Sequence, residues 1–168
     1  MTNTRQLIFI HGLEGSSQGV KARLLRGIFT GILTPDFRGS LAERMEHLTA
    51  ILIPAETGAS EPPQWIIIGS SFGGLMGALF TCHHPDRVRK LILLAPALVW
   101  PEFASHSPEP VSVPTVVYHG ERDEVIPLDL VQPLAEKVFL NLTFHAVDDD
   151  HGLYKTGHAI DWPALVGS

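Results

Sequence analysis

Residues 65–74, Trp65-Ile66-Ile67-Ile68-Gly69-Ser70-Ser71-Phe72-Gly73-Gly74, read as a buried strand that breaks on glycine and turns directly into a helix. Within them Gly69-Ser70-Ser71-Phe72-Gly73 fits G-x-S-x-G, the spacing at which a serine is held on a strained turn at the carboxyl end of a strand. A side chain two residues before or after that serine would run into the adjoining strand or helix, so residues without Cβ are needed at Gly69 and Gly73. Ser71 is therefore a candidate nucleophile, and the helix beyond it aims its first N–H groups at whatever lies above the serine. The same residues would also serve as an ordinary strand-to-helix turn. What separates the two readings is whether the rest of the chain supplies an acid and a base in the order Ser, Asp or Glu, His.

Outward from this segment, short apolar runs alternate with helix-like stretches, the pattern of a parallel sheet covered by helices. Strands are predicted at 6–10, 31–35, 65–69, 90–95, 114–119 and 142–147, and helices at 18–29, 40–54, 72–84, 127–138 and after 152. The expectation is one α/β domain over residues 1–168 with about six parallel strands. Pro127 suits a helix start and Gly58 to Pro63 a loop. Ala97 to Pro114, rich in Pro and Ser and without periodicity, reads as a loop or short lid. Its Leu98, Trp100 and Phe103 either line a substrate pocket or cover the core.

The acid is sought beyond a later strand, in Val116-Val117-Tyr118-His119-Gly120-Glu121-Arg122-Asp123-Glu124-Val125-Ile126-Pro127. Asp123 is preferred to Glu121 and Glu124 because it lies in the loop past the strand and just before the next helix, where it can face a base across the top of the sheet. Arg122 is expected in a surface ion pair. The base is sought after the last strand, where Asp148-Asp149-Asp150-His151-Gly152 offers His151. An imidazole ordinarily titrates near neutrality, so it can take a serine proton and return it to a leaving group. Of the other histidines, His83 and His84 close a helix, and His11 and His119 each precede a glycine at a strand end and organise loops. The glycine-bearing loop His11-Gly12-Leu13-Glu14-Gly15 fails the spacings of nucleotide-binding loops. It suits instead half of an oxyanion hole, with the backbone N–H near Leu13 joining that of Phe72.

Composition narrows the function classes. With 45% hydrophobic and 18% charged residues, 168 residues are enough for one sizeable core. A net charge of −6 with no basic stripe argues against a nucleic-acid partner. Leu7 to Ile10 is too short for a signal-peptide core and no apolar run reaches membrane-spanning length, so a soluble cytoplasmic protein is the expectation. The single cysteine, Cys82, cannot form an internal disulfide and is expected to pack rather than react. No metal-ligand spacing such as H-E-x-x-H or an EF-hand loop is present, and neither metal nor another cofactor is expected.

With elbow, acid and base in this order, the chain resembles the α/β-hydrolase superfamily over nearly its whole length. Further phrases carry the likeness: His11-Gly12, Pro35-Asp36-Phe37-Arg38-Gly39, His84-Pro85-Asp86-Arg87-Val88 before Leu91-Ile92-Leu93-Leu94, and Gly120 to Pro127. Small size and the loop from Ser16-Ser17 to Lys21 are most similar to compact YqiA-type esterases of bacteria. The resemblance implies a reduced α/β-hydrolase fold without the superfamily's amino-terminal antiparallel strands or a large cap at 95–114, and with Asp36 and Arg38 pinning their loop. It also implies a serine hydrolase acting on small carboxylic esters or thioesters through an acyl-enzyme, with Ser71, Asp123 and His151 as its triad. The competing class is a non-catalytic ligand-binding or interaction protein on the same fold.

Overall fold

The computed structural model describes residues 6–55 and 61–168. Residues 58–60 of the loop expected at Gly58 to Pro63 lie outside the described residues. Five parallel strands, β1 (Leu7–Ile10), β2 (Trp65–Ser70), β3 (Val88–Leu94), β4 (Thr115–Gly120) and β5 (Leu142–Val147), pair in chain order. Their register runs through Ile8 beside Ile67, Ile67 beside Leu91, Leu93 beside Val117 and Val117 beside Phe144. Helices α1 (Val20–Ile28), α2 (Leu41–Leu52), α3 (Phe72–His83), α4 (Pro101–Ala104), α5 (Leu128–Val138), α6 (Tyr154–Ala159) and α7 (Trp162–Gly167) fill the connections.

The strand period divides the core in two. Ile8, Ile10, Ile67, Leu91, Leu93 and Val117 enter a cluster completed by Leu48 and Leu52 of α2, Leu75 and Phe80 of α3 and Val131 of α5. Their sequence neighbours Leu7, Phe9, Ile66, Ile68, Ile92 and Leu94 face the other way, onto Leu25 of α1 and Trp162 of α7. Both faces of the sheet are therefore covered, which is why the strands read as continuous apolar runs rather than as alternating ones.

The sixth expected strand, 31–35, does not form. Only Leu33 pairs, as an isolated bridge to Ile8 on the outer edge of β1, with Phe9 N–H donating to Leu33 O at 2.8 Å and Leu33 N–H to Leu7 O at 2.9 Å. Gly31, at φ 87°, bends the chain immediately before it and Pro35 brings no N–H two residues after it, so the ladder ends after one rung. This short segment still fixes the topology. From β1 the chain runs outward over one face through α1 to Leu33, then returns over the other face through α2 to β2 on the opposite side of β1. The carboxyl ends of β1 and β2 thus flank the point where the winding reverses, the place where open α/β sheets hold ligands.

Two short elements fall inside stretches without periodicity: a 3-10 turn at Pro85–Arg87, and α4 within the 97–114 segment. Among the described residues no helix is long and apolar enough to cross a membrane.

Candidate active site

Ser71 sits between β2 and α3 with φ 55° and ψ −115°, a conformation that costs an L-residue free energy and persists only where its surroundings impose it. Here they do. Ser71 N–H donates to Leu94 O at 2.9 Å, and Ser71 O accepts from Gly74, Leu75 and Ala97 N–H at 2.9–3.1 Å. A Cβ on Gly69 would lie 2.5 Å from Gly73 O, and one on Gly73 would overlap the carbonyls of Ile10 and His11. The two glycines are thus required for the reason the sequence suggests, close backbone approach across the turn.

The three polar side chains singled out from the sequence meet at the carboxyl edge of the sheet. Ser71 Oγ is 3.0 Å from His151 Nε2, and His151 Nδ1 is 2.8 Å from Asp123 Oδ2. The carboxylate fixes the tautomer: Nδ1–H donates to Asp123, leaving the Nε2 lone pair to accept the serine proton. Asp123 has a fully buried side chain, its Oδ1 accepting Ile126 N–H at 2.7 Å and Val125 N–H at 3.0 Å. Glu121 and Glu124 point to solvent. Arg122 makes the expected surface pair, with Asp148 at 3.1 Å.

Other groups brace this line, most of them marked by no motif in the sequence. His119, completely buried, places Nε2 2.7 Å from Ile126 O and 3.2 Å from Asp123 Oδ2, so the carboxylate oxygen facing His151 has a second imidazole beside it. His119 Nδ1 is buried without a partner, which fits a neutral ring protonated on Nε2. Burial lowers the His119 pKa, partly opposed by the Ile126 carbonyl and the Asp123 charge. Asp149, also buried, ties the His151 loop to α6 by accepting Thr156 N–H and Thr156 Oγ–H, each at 2.8 Å. Its burial would raise its pKa, but these bonds and one from Asp150 N–H outweigh that and leave it low. Lys21 Nζ donates to Gly152 O at 2.6 Å, joining α1 to the residue after His151. The Asp36 carboxylate holds the first loop through Ser17 N–H at 2.7 Å and Ser17 Oγ at 3.0 Å, where the sequence had suggested Arg38 as its associate.

The loop after β1 passes directly beside the serine: a Cβ on Gly12 would touch Ser71 Cβ at 3.4 Å. His11 Nδ1–H donates to Gly12 O at 2.7 Å, where Gly15 N–H also binds, while His11 Nε2 accepts Phe37 N–H. Holding the Gly12 carbonyl of a trans peptide turns the Leu13 N–H the opposite way. Phe72 opens α3, so its N–H has no intrahelical acceptor. Of the three expected pocket residues only Trp100 stays near this surface, 39% exposed and edge-on to Phe72 at 5.2 Å. Leu98 and Phe103 are instead core residues, Phe103 stacking on Phe139 at 6.1 Å. Their apolar side chains gain more from closing over the sheet than from lining a surface.

A depression of about 800 Å³ beside His151 is lined by Glu121, Arg122, Glu124, Val125 and Asp150. A larger cavity of about 1060 Å³, between α2, the second half of α3 and residues 102–109, includes none of Ser71, Asp123 or His151.

Residues 58–110 match the family model described as the alpha/beta hydrolase fold. A pyrethroid hydrolase of Sphingobium wenxiniae is 30% identical over 152 residues, covering 84% of this chain and 51% of that protein, so the chain spans about half the length of this relative. The esterase Pf2001 of Pyrococcus furiosus is similar in structure at a TM-score of 0.74 and 17% identity, over 96% of this chain and 80% of that one. Est1E from Butyrivibrio proteoclasticus gives 0.72 at 20% identity, over 95% and 86%. At such identities the structural likeness is one of fold.

Proposed function

On the α/β-hydrolase fold that this chain carries, we propose that it is a serine hydrolase cleaving small carboxylic esters or thioesters through an acyl-enzyme. The observation that carries the reading is the hydrogen-bonded line from Ser71 Oγ through His151 to Asp123, ending on a serine held at positive φ. In the first step His151 Nε2 takes the Ser71 proton as Oγ attacks the acyl carbon. Asp123 keeps Nδ1 protonated and stabilises the imidazolium that forms. The Leu13 and Phe72 N–H groups receive the oxyanion, and His151 then gives its proton to the leaving group. Water repeats the sequence on the acyl-enzyme and frees the acid. The name of the relative at 30% identity, a pyrethroid hydrolase, supports hydrolysis of a small organic substrate.

Labelling with a fluorophosphonate probe tests this directly, because only an activated serine reacts with it. Ser71 should take the label, and Ser71→Ala should abolish it and lower kcat on a p-nitrophenyl ester by about 10⁴–10⁶-fold. Ser70→Ala serves as the neighbouring control and should keep both. An unlabelled wild-type protein would favour a non-catalytic binding role.

A further inference from the structure

Arg44 is the most deeply buried arginine of the described residues, 5% exposed in the first turn of α2, and the reaction outlined above does not use it. It has no carboxylate partner among the described residues. Nε donates to Gly39 O at 3.0 Å and Nη2 to Leu13 O at 3.1 Å, while Nη1 is buried without any hydrogen-bond acceptor. The guanidinium lies over the ring of Phe72, with Cζ 5.3 Å from its centroid. An apolar residue would fill this space without the cost of a buried, unpaired charge. What the arginine adds is a connection: Leu13, in the loop after β1, and Phe72, the first residue of α3, are the two residues whose N–H groups would receive the oxyanion, and Arg44 touches both.

We propose that Arg44 is the positioning residue of the oxyanion hole, clamping Leu13 by its carbonyl and Phe72 by its ring so that both N–H donors are set before an oxyanion forms, with its charge placed behind them. Within the Gly12-Leu13 segment the clamp complements His11: His11 holds the Gly12 carbonyl on one side of the Leu13 N–H, and Arg44 holds the Leu13 carbonyl on the other. A loop residue that is 49% exposed thereby has its backbone fixed at both ends. A buried cation close to developing negative charge acts in a medium that screens it weakly, so it favours the transition state over the neutral ester.

The inference rests on the serine-hydrolase reading, and its test separates the two. Arg44→Met keeps the stem volume and removes the charge and both bonds; Arg44→Lys keeps the charge without the fork. The readouts are kcat and KM on a p-nitrophenyl ester and the inhibition constant of an aryl trifluoromethyl ketone. Ser71 Oγ adds to the carbon of that ketone, its proton passes to His151, and the ketone oxygen becomes the bound oxyanion. Removing a whole oxyanion donor costs about 10²–10³-fold, so misplacing donors in Arg44→Met should lower kcat by about 10–100-fold. KM should change by less than about threefold, since the interaction is made in the transition state. Ketone affinity should fall in step with kcat, and Arg44→Lys should lie between wild type and Met. Slow but complete fluorophosphonate labelling establishes that the variant sites are folded. If Arg44→Met does not fold, Arg44→Lys carries the test alone, with a loss of at least about fivefold in both kcat and ketone affinity expected. Variants that melt earlier yet keep kcat and ketone affinity overturn the Arg44 proposal and leave the serine reading standing. A wild-type protein that neither labels nor turns over ester overturns both.

Discussion

At the scale of single residues, the site divides neighbouring groups of the same chemistry by burial. Asp123, Glu121 and Glu124 lie within four positions, yet only Asp123 turns inward to the imidazole. Asp123→Asn would present an amide that favours the wrong imidazole tautomer, so kcat should fall by about 10⁴-fold with the fold intact. Glu121→Gln and Glu124→Gln should stay within about tenfold, as exposed charges do. A dead Glu124→Gln beside an active Asp123→Asn would reassign the acid. His119 gives a second residue-level expectation, for stability. Burial holds its pKa below the ordinary 6.5, so as pH falls the unfolded chain takes up the proton first. The contribution of the neutral, buried ring is therefore present above pH 6.5 and is lost as pH falls through the lowered folded value. In Tm measurements from about pH 8 to 5, the deficit of His119→Gln relative to wild type should be constant above 6.5 and narrow below it. A deficit that does not vary with pH would mean that the ring is not held neutral.

At the scale of elements, the glycines of the strand-to-helix turn carry its geometry, whereas the glycine inside α1 does not. Gly73 begins α3 against the last residues of β1, and a Cβ there would meet the Ile10 and His11 carbonyls. Gly73→Ala must push α3 off β1, and a loss of at least about 3 kcal/mol is expected in denaturant titration. Gly27, inside α1, has nothing within 4 Å of the same added atom. Gly27→Ala should stabilise by about 0.5–1 kcal/mol, since alanine loses less backbone freedom in a helix. If the two substitutions had similar effects, close packing would not be what glycine supplies at the turn. Helix α2 is set by local chemistry of another kind: Ser40 and Glu43 form a reciprocal capping box at its start, which fixes where Arg44 enters the fold.

At the scale of the whole molecule, the distribution of charge bears on which acyl compounds reach the serine. The chain carries a net charge of −6, and the depression beside His151 is lined by Glu121, Glu124 and Asp150 against one cation, Arg122, which pairs with Asp148. A neutral p-nitrophenyl ester should be hydrolysed at a rate insensitive to salt. An acyl-thioester with a phosphorylated carrier should show kcat/KM rising several-fold between about 0.01 and 0.15 M ionic strength, because screening relieves like-charge repulsion. Equal, flat salt profiles would mean that the rim does not select by charge. Much of this molecule was legible in its sequence, because strand period, glycine punctuation and the order Ser71, Asp123, His151 are local or ordinal signals. They led to the parallel sheet, to the turn at Ser71 and to the three side chains that meet above it. The sixth strand was misread because apolar content at 31–35 does not reveal that Gly31 and Pro35 leave a single rung. Leu98 and Phe103 could not be told from pocket residues, since an apolar side chain reads the same whether it lines a surface or closes a core. Arg44 on Leu13, Lys21 on Gly152 and Asp149 on Thr156 were equally hidden. Short-range periodicity and backbone preference thus settle most of the elements and their order along the chain. Which polar groups lose their water and must find partners is set by packing, because burial depends on residues distant in the chain.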